Sequence, residues 1–151
     1  MDKSTNIVPV MVKDHRKIEQ LLDNFEASLD KDYKTITKAF NDFEWELEKH
    51  IFVEEKAIYT QYAPEDVEGG YKMLPTLTKQ HNFIVSKLAI WRKDVRNKRK
   101  ITDVSSLKEF IIKHKNFEEK DVYPLMDQVL DEDQKRQILH KINEIFEKME
   151  K

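Results

Sequence analysis

The chain has 151 residues, 39% hydrophobic and 37% charged, which is enough for one domain with a real core. Its formal net charge of -2 gives no reason to expect nucleic acid, a membrane or a polyanionic partner. It has no Cys, which excludes disulfides, Cys-type zinc sites, iron–sulfur clusters and thiol catalysis, and with 2 Gly and 4 Pro it reads as all-α, since sheets need more turn residues.

Residues 1–6 are polar with no apolar run behind them, so neither a signal peptide nor a membrane span is expected and the cytoplasm is the default location. After Pro9, the residues Met11, His15, Ile18, Leu22, Phe25 and Leu29 recur at the spacing of a core-facing helix stripe. His15 occupies a core slot, while Lys13, Asp14, Arg16 and Lys17 form the solvated side. Asp32 is the predicted N-cap of a second helix running to about Tyr62, with the stripe Phe40, Phe43, Leu47, His50, Glu54 and Ile58 and a stop at Pro64. Residues 63–74 hold both glycines and form the one long connection.

Pro75 suits the first turn of a third helix, whose stripe is Leu77, His81, Ile84, Leu88, Trp91 and Val95. The basic run at 96–100 closes it, complementing the negative end of its dipole and facing solvent. Thr102-Asp103 offers an N-cap for a fourth helix carrying Leu107, Ile111, His114, Glu118 and Leu125, which Pro124 is expected to bend. Asp131 with Gln134 forms a capping-box variant, opening a last helix over 131–150 through Ile138, Ile142, Ile145 and Met149. His140 lies off that stripe and reads as exposed.

The segment HIFVEEKAIY at 50–59 is echoed by HKNFEEKDVY at 114–123. Positions four apart share a helix face, so His50 aims with Glu54 and His114 with Glu118. His15 stands 35 residues before His50, and His81 stands 33 before His114. The chain therefore reads as a single domain over 1–151 with an internal repeat, 8–62 and 75–127, each unit giving one His and then a His and Glu pair. Short loops make successive helices antiparallel, which lets all six groups meet at one level of the bundle.

A lone His on an apolar stripe is more often a satisfied core residue than a ligand. Two buried carboxylates among four such histidines are different, because unpaired they each cost several kcal/mol and they repel each other, and only a cation at the centre resolves this. Imidazole with carboxylate suits iron, zinc or manganese. Six ligands exceed one tetrahedral zinc and suit two metals bridged by the two Glu. The Glu-x-x-His of ferritin-like sites is absent, since Leu47 and Ile111 stand three residues before His50 and His114. Glu55 and Glu119, about 100° round the helix, could accept from histidine N–H groups. Tyr59 and Tyr123 are expected to point away from the metal axis and pack near helix ends, and Phe43, Trp91 and Phe117 read as core that dries the site.

This order of His, His, Glu given twice resembles the hemerythrin family in its HHE cation-binding form, over residues 8–127. The resemblance implies an antiparallel four-helix bundle with a short extra C-terminal helix. As metal ligands it implies His15, His50, Glu54, His81, His114 and Glu118. As cofactor it implies two Fe ions in an oxo- or hydroxo-bridged non-haem di-iron centre with an open position, here with His15 paired to His50 and His81 to His114. It further implies a small diatomic or redox ligand (O₂, NO or peroxide) bound for sensing, scavenging or storage, or alternatively iron-centre repair, iron donation or di-iron redox catalysis. Oxygen carriers have a further His one turn after the third, where this chain has Val85, which is expected to face the same centre. In that respect the chain is closer to the di-iron domain of iron-centre repair proteins, whose usual Cys-bearing N-terminal segment is not in this sequence. Oxygen carriers also place a bridging Asp where Glu119 stands, but Glu118 is preferred because Glu54 matches it in the repeat.

Overall fold

A computed structural model describes residues 6–59 and 68–149, and within 68–73 the backbone alone. Its helices are α1 (Ile7–Ser28), α2 (Tyr33–Val53), α3 (Glu68–Arg96), α4 (Val104–Phe117), α5 (Tyr123–Val129) and α6 (Glu132–Met149). α1 packs on α2, α2 on α3, α3 on α4, and α1 again on α4 and α5, which closes the expected bundle; α6 lies against α2. The predicted stop at Pro64 falls outside the described residues. Among the described residues no helix is long and apolar enough to cross a membrane.

Capping follows the sequence in two places. The Asp32 side chain accepts from the Thr35 N–H at 2.9 Å, and Asp131 and Gln134 bond reciprocally at 2.7 and 2.9 Å. It departs from the sequence in three. Asp103 precedes α4 in a left-handed conformation, φ 64°, and makes no side-chain cap. Pro75 does not open α3; the helix begins at Glu68 and carries Pro75 inside it. At α1 the free N–H groups of Ile7 and Val8 donate to the Asp127 carboxylate on α5, at 2.7 and 3.2 Å. A negative charge from a distant helix thus meets the positive end of the α1 dipole.

The largest departure is shared by both repeats. α2 and α4 each run directly into one π-helical turn, Glu54–Ile58 and Glu118–Val122, starting at the glutamate of the repeated motif. A π turn closes hydrogen bonds to the fifth residue rather than the fourth, so it inserts one residue and shifts the register beyond it. The expected stripe residue Leu125 is accordingly only half-buried, and Met126, one position later, takes the core slot. Pro124 follows the second π turn inside α5. The first π turn forms with no proline at the equivalent place, so proline is not what causes the insertion.

The core is two apolar clusters. One holds Phe25, Phe40, Phe43, Leu88 and Trp91 near the α1–α2 and α3–α4 loops. The other holds Met11, Ile58, Leu77, Tyr123 and Met126 and is covered by Ile138, Ile142 and Ile145 of α6. Phe43 and Trp91 are buried as expected, while Phe117 is half-buried against the second cluster. Between the clusters lies a layer of buried His and Glu.

Ile142 is fully buried under the π turns, so Ile142→Ala should destabilise the chain by about 2–5 kcal/mol, read as a lower urea midpoint with an unchanged slope. A loss under about 0.5 kcal/mol, the level of an ordinary surface substitution, would mean that α6 does not seal this end of the bundle.

Candidate metal centre

All six predicted residues meet in the polar layer, and all six are buried. His50 Nε2 lies 3.1 Å from Glu54 Oε1 and His81 Nε2 lies 3.2 Å from the same oxygen. His15 Nε2 and His114 Nε2 lie 3.1 and 3.3 Å from Glu118 Oε1. Their ligand atoms form two overlapping groups within 4.8 Å, one of His15, His50 and Glu118 and the other of Glu54, His81, His114 and Glu118. His140 is 83% exposed and belongs to neither, as expected.

Each histidine is held from behind at Nδ1. His15 donates to Glu119 Oε2 at 2.6 Å, His81 to Glu55 Oε2 at 2.9 Å, His50 to Asp14 Oδ2 at 2.5 Å and His114 to Gln80 Oε1 at 2.5 Å. With a proton held at Nδ1, each ring in its neutral form turns the Nε2 electron pair inward. His15 Nε2 and His50 Nε2 face each other at 3.1 Å, close enough to share one cation, either a metal ion or a proton held on His50. The fit is seen again in three buried atoms without any hydrogen-bond partner, Glu54 Oε1, Glu118 Oε1 and His81 Nε2.

Glu55 and Glu119 take the role expected of them. Asp14 does not: it is 9% exposed and supports His50 rather than facing water. The repeat contained the signal, since Asp14 and Gln80 both immediately precede the lone His of their unit. Val85 is the other correction. It is 41% exposed, and Ile84 is the residue turned inward. Four residues advance a helix by about 40° past a full turn, which here carries Val85 off the stripe that His81, Ile84 and Leu88 define.

The tyrosines are a third correction. On an uninterrupted α-helix Tyr59 and Tyr123 would sit about 140° round from Glu54 and Glu118. The π turns bring them inward instead. Tyr59 Oη donates to Glu118 Oε2 at 3.4 Å, and Tyr123 Oη donates to Glu54 Oε2. The two bonds cross between repeats. Each ring also stacks on a histidine, Tyr59 on His81 and Tyr123 on His15.

The electrostatics show two carboxylates that cannot both ionise freely. Burial and then the charge of Glu54 push Glu118 up to about 8. Burial also opposes charge on Glu54, but His50 and further hydrogen bonds outweigh it and hold Glu54 well below its usual range. Burial works against charge on His50 and His81 as well; Glu54 with Asp14, and Glu54 with Glu55, reverse that, raising His50 well above its normal value and His81 to about 9. His114 falls to about 4, with burial dominant and its Nδ1 partner a neutral amide.

Without metal, Glu118 keeps its proton to about pH 8 in the fold but loses it near 4.5 when unfolded. This group's contribution to stability therefore falls as pH rises from about 4.5 to about 8. Glu118→Gln should remove that slope, making the metal-free variant more stable than the parent at pH 8 and level with it at pH 4.5, as melting temperatures would show. A difference that does not change with pH would contradict it.

The hemerythrin HHE cation-binding domain profile matches residues 6–126. An uncharacterized hemerythrin-like protein of Schizosaccharomyces pombe is 29% identical over 133 residues, covering 87% of this chain and 64% of that relative. The chain thus spans less than two thirds of that protein's length. No solved structure matches it. A profile match over most of the chain, on a helical bundle that buries four His and two Glu at one level, means that this chain belongs to the hemerythrin HHE cation-binding family.

Proposed function

We propose that the chain holds a non-haem di-iron centre and through it binds or reacts with a small ligand, O₂, NO or peroxide, in sensing, scavenging or storage. The observation that carries this reading is the inward set of four Nε2 atoms around two carboxylate oxygens that have no hydrogen-bond partner. His15 and His50 would hold one iron and His81 and His114 the other, with Glu54 and Glu118 between. Imidazole and carboxylate donors without thiolate suit iron. Iron held there would supply redox electrons and a Lewis acid for the ligand.

The surrounding residues select what arrives. A cavity of about 20 Å³ touches His15, His50 and His114 and is walled mainly by the aliphatic side chains Ile18, Leu47, Ile51, Ile84 and Ile111. A space little above the minimum for one water, and apolar, favours a neutral diatomic over an ion. Glu19 and Lys115, an ion pair, line the same cavity. On the other side, the Tyr59 and Tyr123 hydroxyls restrain the far oxygens of Glu118 and Glu54, which keeps the near oxygens directed at the histidines.

The alternative, iron donation as in iron-centre repair or di-iron redox catalysis, is favoured by one asymmetry. Three histidines lean on carboxylates, but His114 leans on the amide of Gln80. A neutral acceptor raises the basicity of its ring less than a carboxylate does, so the His81–His114 metal should be the more weakly held.

Anaerobic titration with ferrous iron should load about two irons per chain with a rise in melting temperature that a chelator reverses. Exposure to O₂ and to NO in the spectrometer then reads ligand binding directly. Uptake of a single zinc, or loading without any effect on melting, would refute the dinuclear reading.

The titration should resolve two unequal affinities, and Gln80→Glu should tighten the weaker one by about 10-fold or more. Two equal affinities in the parent chain would remove the asymmetry and with it the case for donation.

A further inference from the structure

The basic run at 96–100 begins at the last residue of α3 and is exposed, as its sequence suggests. The helix ends at Arg96, and its last carbonyls are taken by backbone: Asn97, Arg99 and Lys98 N–H groups donate to the carbonyls of Lys93, Asp94 and Val95 at 2.9, 2.7 and 3.2 Å. Lys98 takes a left-handed conformation, φ 56°, as the chain turns. The cationic side chains beyond the helix are therefore not needed to satisfy its end.

They also rim a cleft. At the loop end of the bundle, opposite α6, lies a cavity of about 290 Å³ with Leu29, Ile36, Val95 and Ile101 as its apolar lining, close to the lower size of small-molecule pockets. Lys98, Arg99 and Lys100 line the same space, with the ring of Tyr33, 39% exposed, under the Lys98 ammonium at 4.9 Å. Arg99 pairs with Asp94 at 3.2 Å. Among the described residues neither Lys98 nor Lys100 meets a carboxylate, so the rim carries a positive excess beside an unfilled apolar floor.

We propose that this cleft binds a small amphiphilic anion, one with an aliphatic or aromatic body and a single carboxylate or phosphate head. The body would replace water over Ile36 and Ile101, and the head would lie between Lys98 and Lys100. Both parts of the cleft are used: an inorganic anion would leave the apolar floor wet, and a neutral hydrocarbon would gain no attraction from Lys98 and Lys100. The proposal is independent of the metal centre, which shares none of these residues.

Octanoate is a suitable probe. Equilibrium dialysis against the full metal-loaded chain should show one saturable octanoate per chain. Octylammonium, with the same body and the opposite head, should not compete. Lys98→Glu/Lys100→Glu should weaken octanoate binding by at least about 10-fold, and Lys98→Gln/Lys100→Gln by less, as expected when attraction is replaced by repulsion or merely removed. Both variants should keep the parent's metal content and melting temperature. No saturation by about 10 mM octanoate, equal binding by the variants, or competition by octylammonium would each overturn the proposal. Co-sedimentation with phosphatidylglycerol vesicles in place of free octanoate binding would also overturn it, and would identify the cleft as part of a membrane-surface patch.

Discussion

Two carboxylates facing each other in the middle of a hydrophobic bundle are the constraint on which the rest of the structure depends. Glu54 and Glu118 are both fully buried, and each has one oxygen that no donor satisfies. Left alone, such a pair would be among the most destabilising arrangements a core can hold. The surrounding residues do not remove the conflict. They direct it, since hydroxyls hold the outer oxygens and imidazoles surround the inner ones, so that positive charge has one place where it resolves every unmet interaction at once.

The two repeats build this jointly. Each lone histidine is braced by the second glutamate of the other unit, His15 by Glu119 and His81 by Glu55, and each tyrosine reaches across to the other unit's carboxylate. Neither half could form the layer alone. The π turns are part of the same design, because the extra residue is what turns Tyr59 and Tyr123 from outside the bundle to its axis. Their apolar residues Ala57, Ile58 and Val122 join the cluster that α6 covers, and the polar layer lies between it and the other cluster.

The symmetry is incomplete in chemistry though not in position. Asp14 and Gln80 occupy matching places and support His50 and His114, yet one is an anion and the other a neutral amide. The result is one strongly polarised imidazole and one that resists protonation down to about 4. The opposite end of the bundle is simpler: an aromatic and aliphatic cluster closes it, and the loop beyond α3 projects cations around a shallow apolar cleft.

Much of this was legible in the chain itself. Residues spaced for one helix face identify α1, α2, α4 and α6, and the doubled order of His, His and Glu places six groups on core stripes, because a helical period survives whatever the neighbours are. Glu55 and Glu119 follow from the same geometry, and Asp14 and Gln80 could have been found by aligning the two units. The π turns could not. Whether a helix closes to its fourth or its fifth residue depends on a small difference in backbone hydrogen bonding, and here each π turn is accompanied by a tyrosine hydroxyl that meets a carboxylate on another helix. Leu125, Tyr59 and Tyr123 were all misplaced for that one reason. Val85 was misplaced because a residue four past His81 lies about 40° beyond a full turn, off the stripe that His81, Ile84 and Leu88 define. Asp127 on the α1 terminus and the cleft ringed by Lys98 and Lys100 likewise join parts of the chain that only folding brings together. The sequence by itself determined the helices, their buried faces and the chemistry of the six inward groups; the tertiary structure decided register past each glutamate, which partner each side chain meets and where charge is left without one.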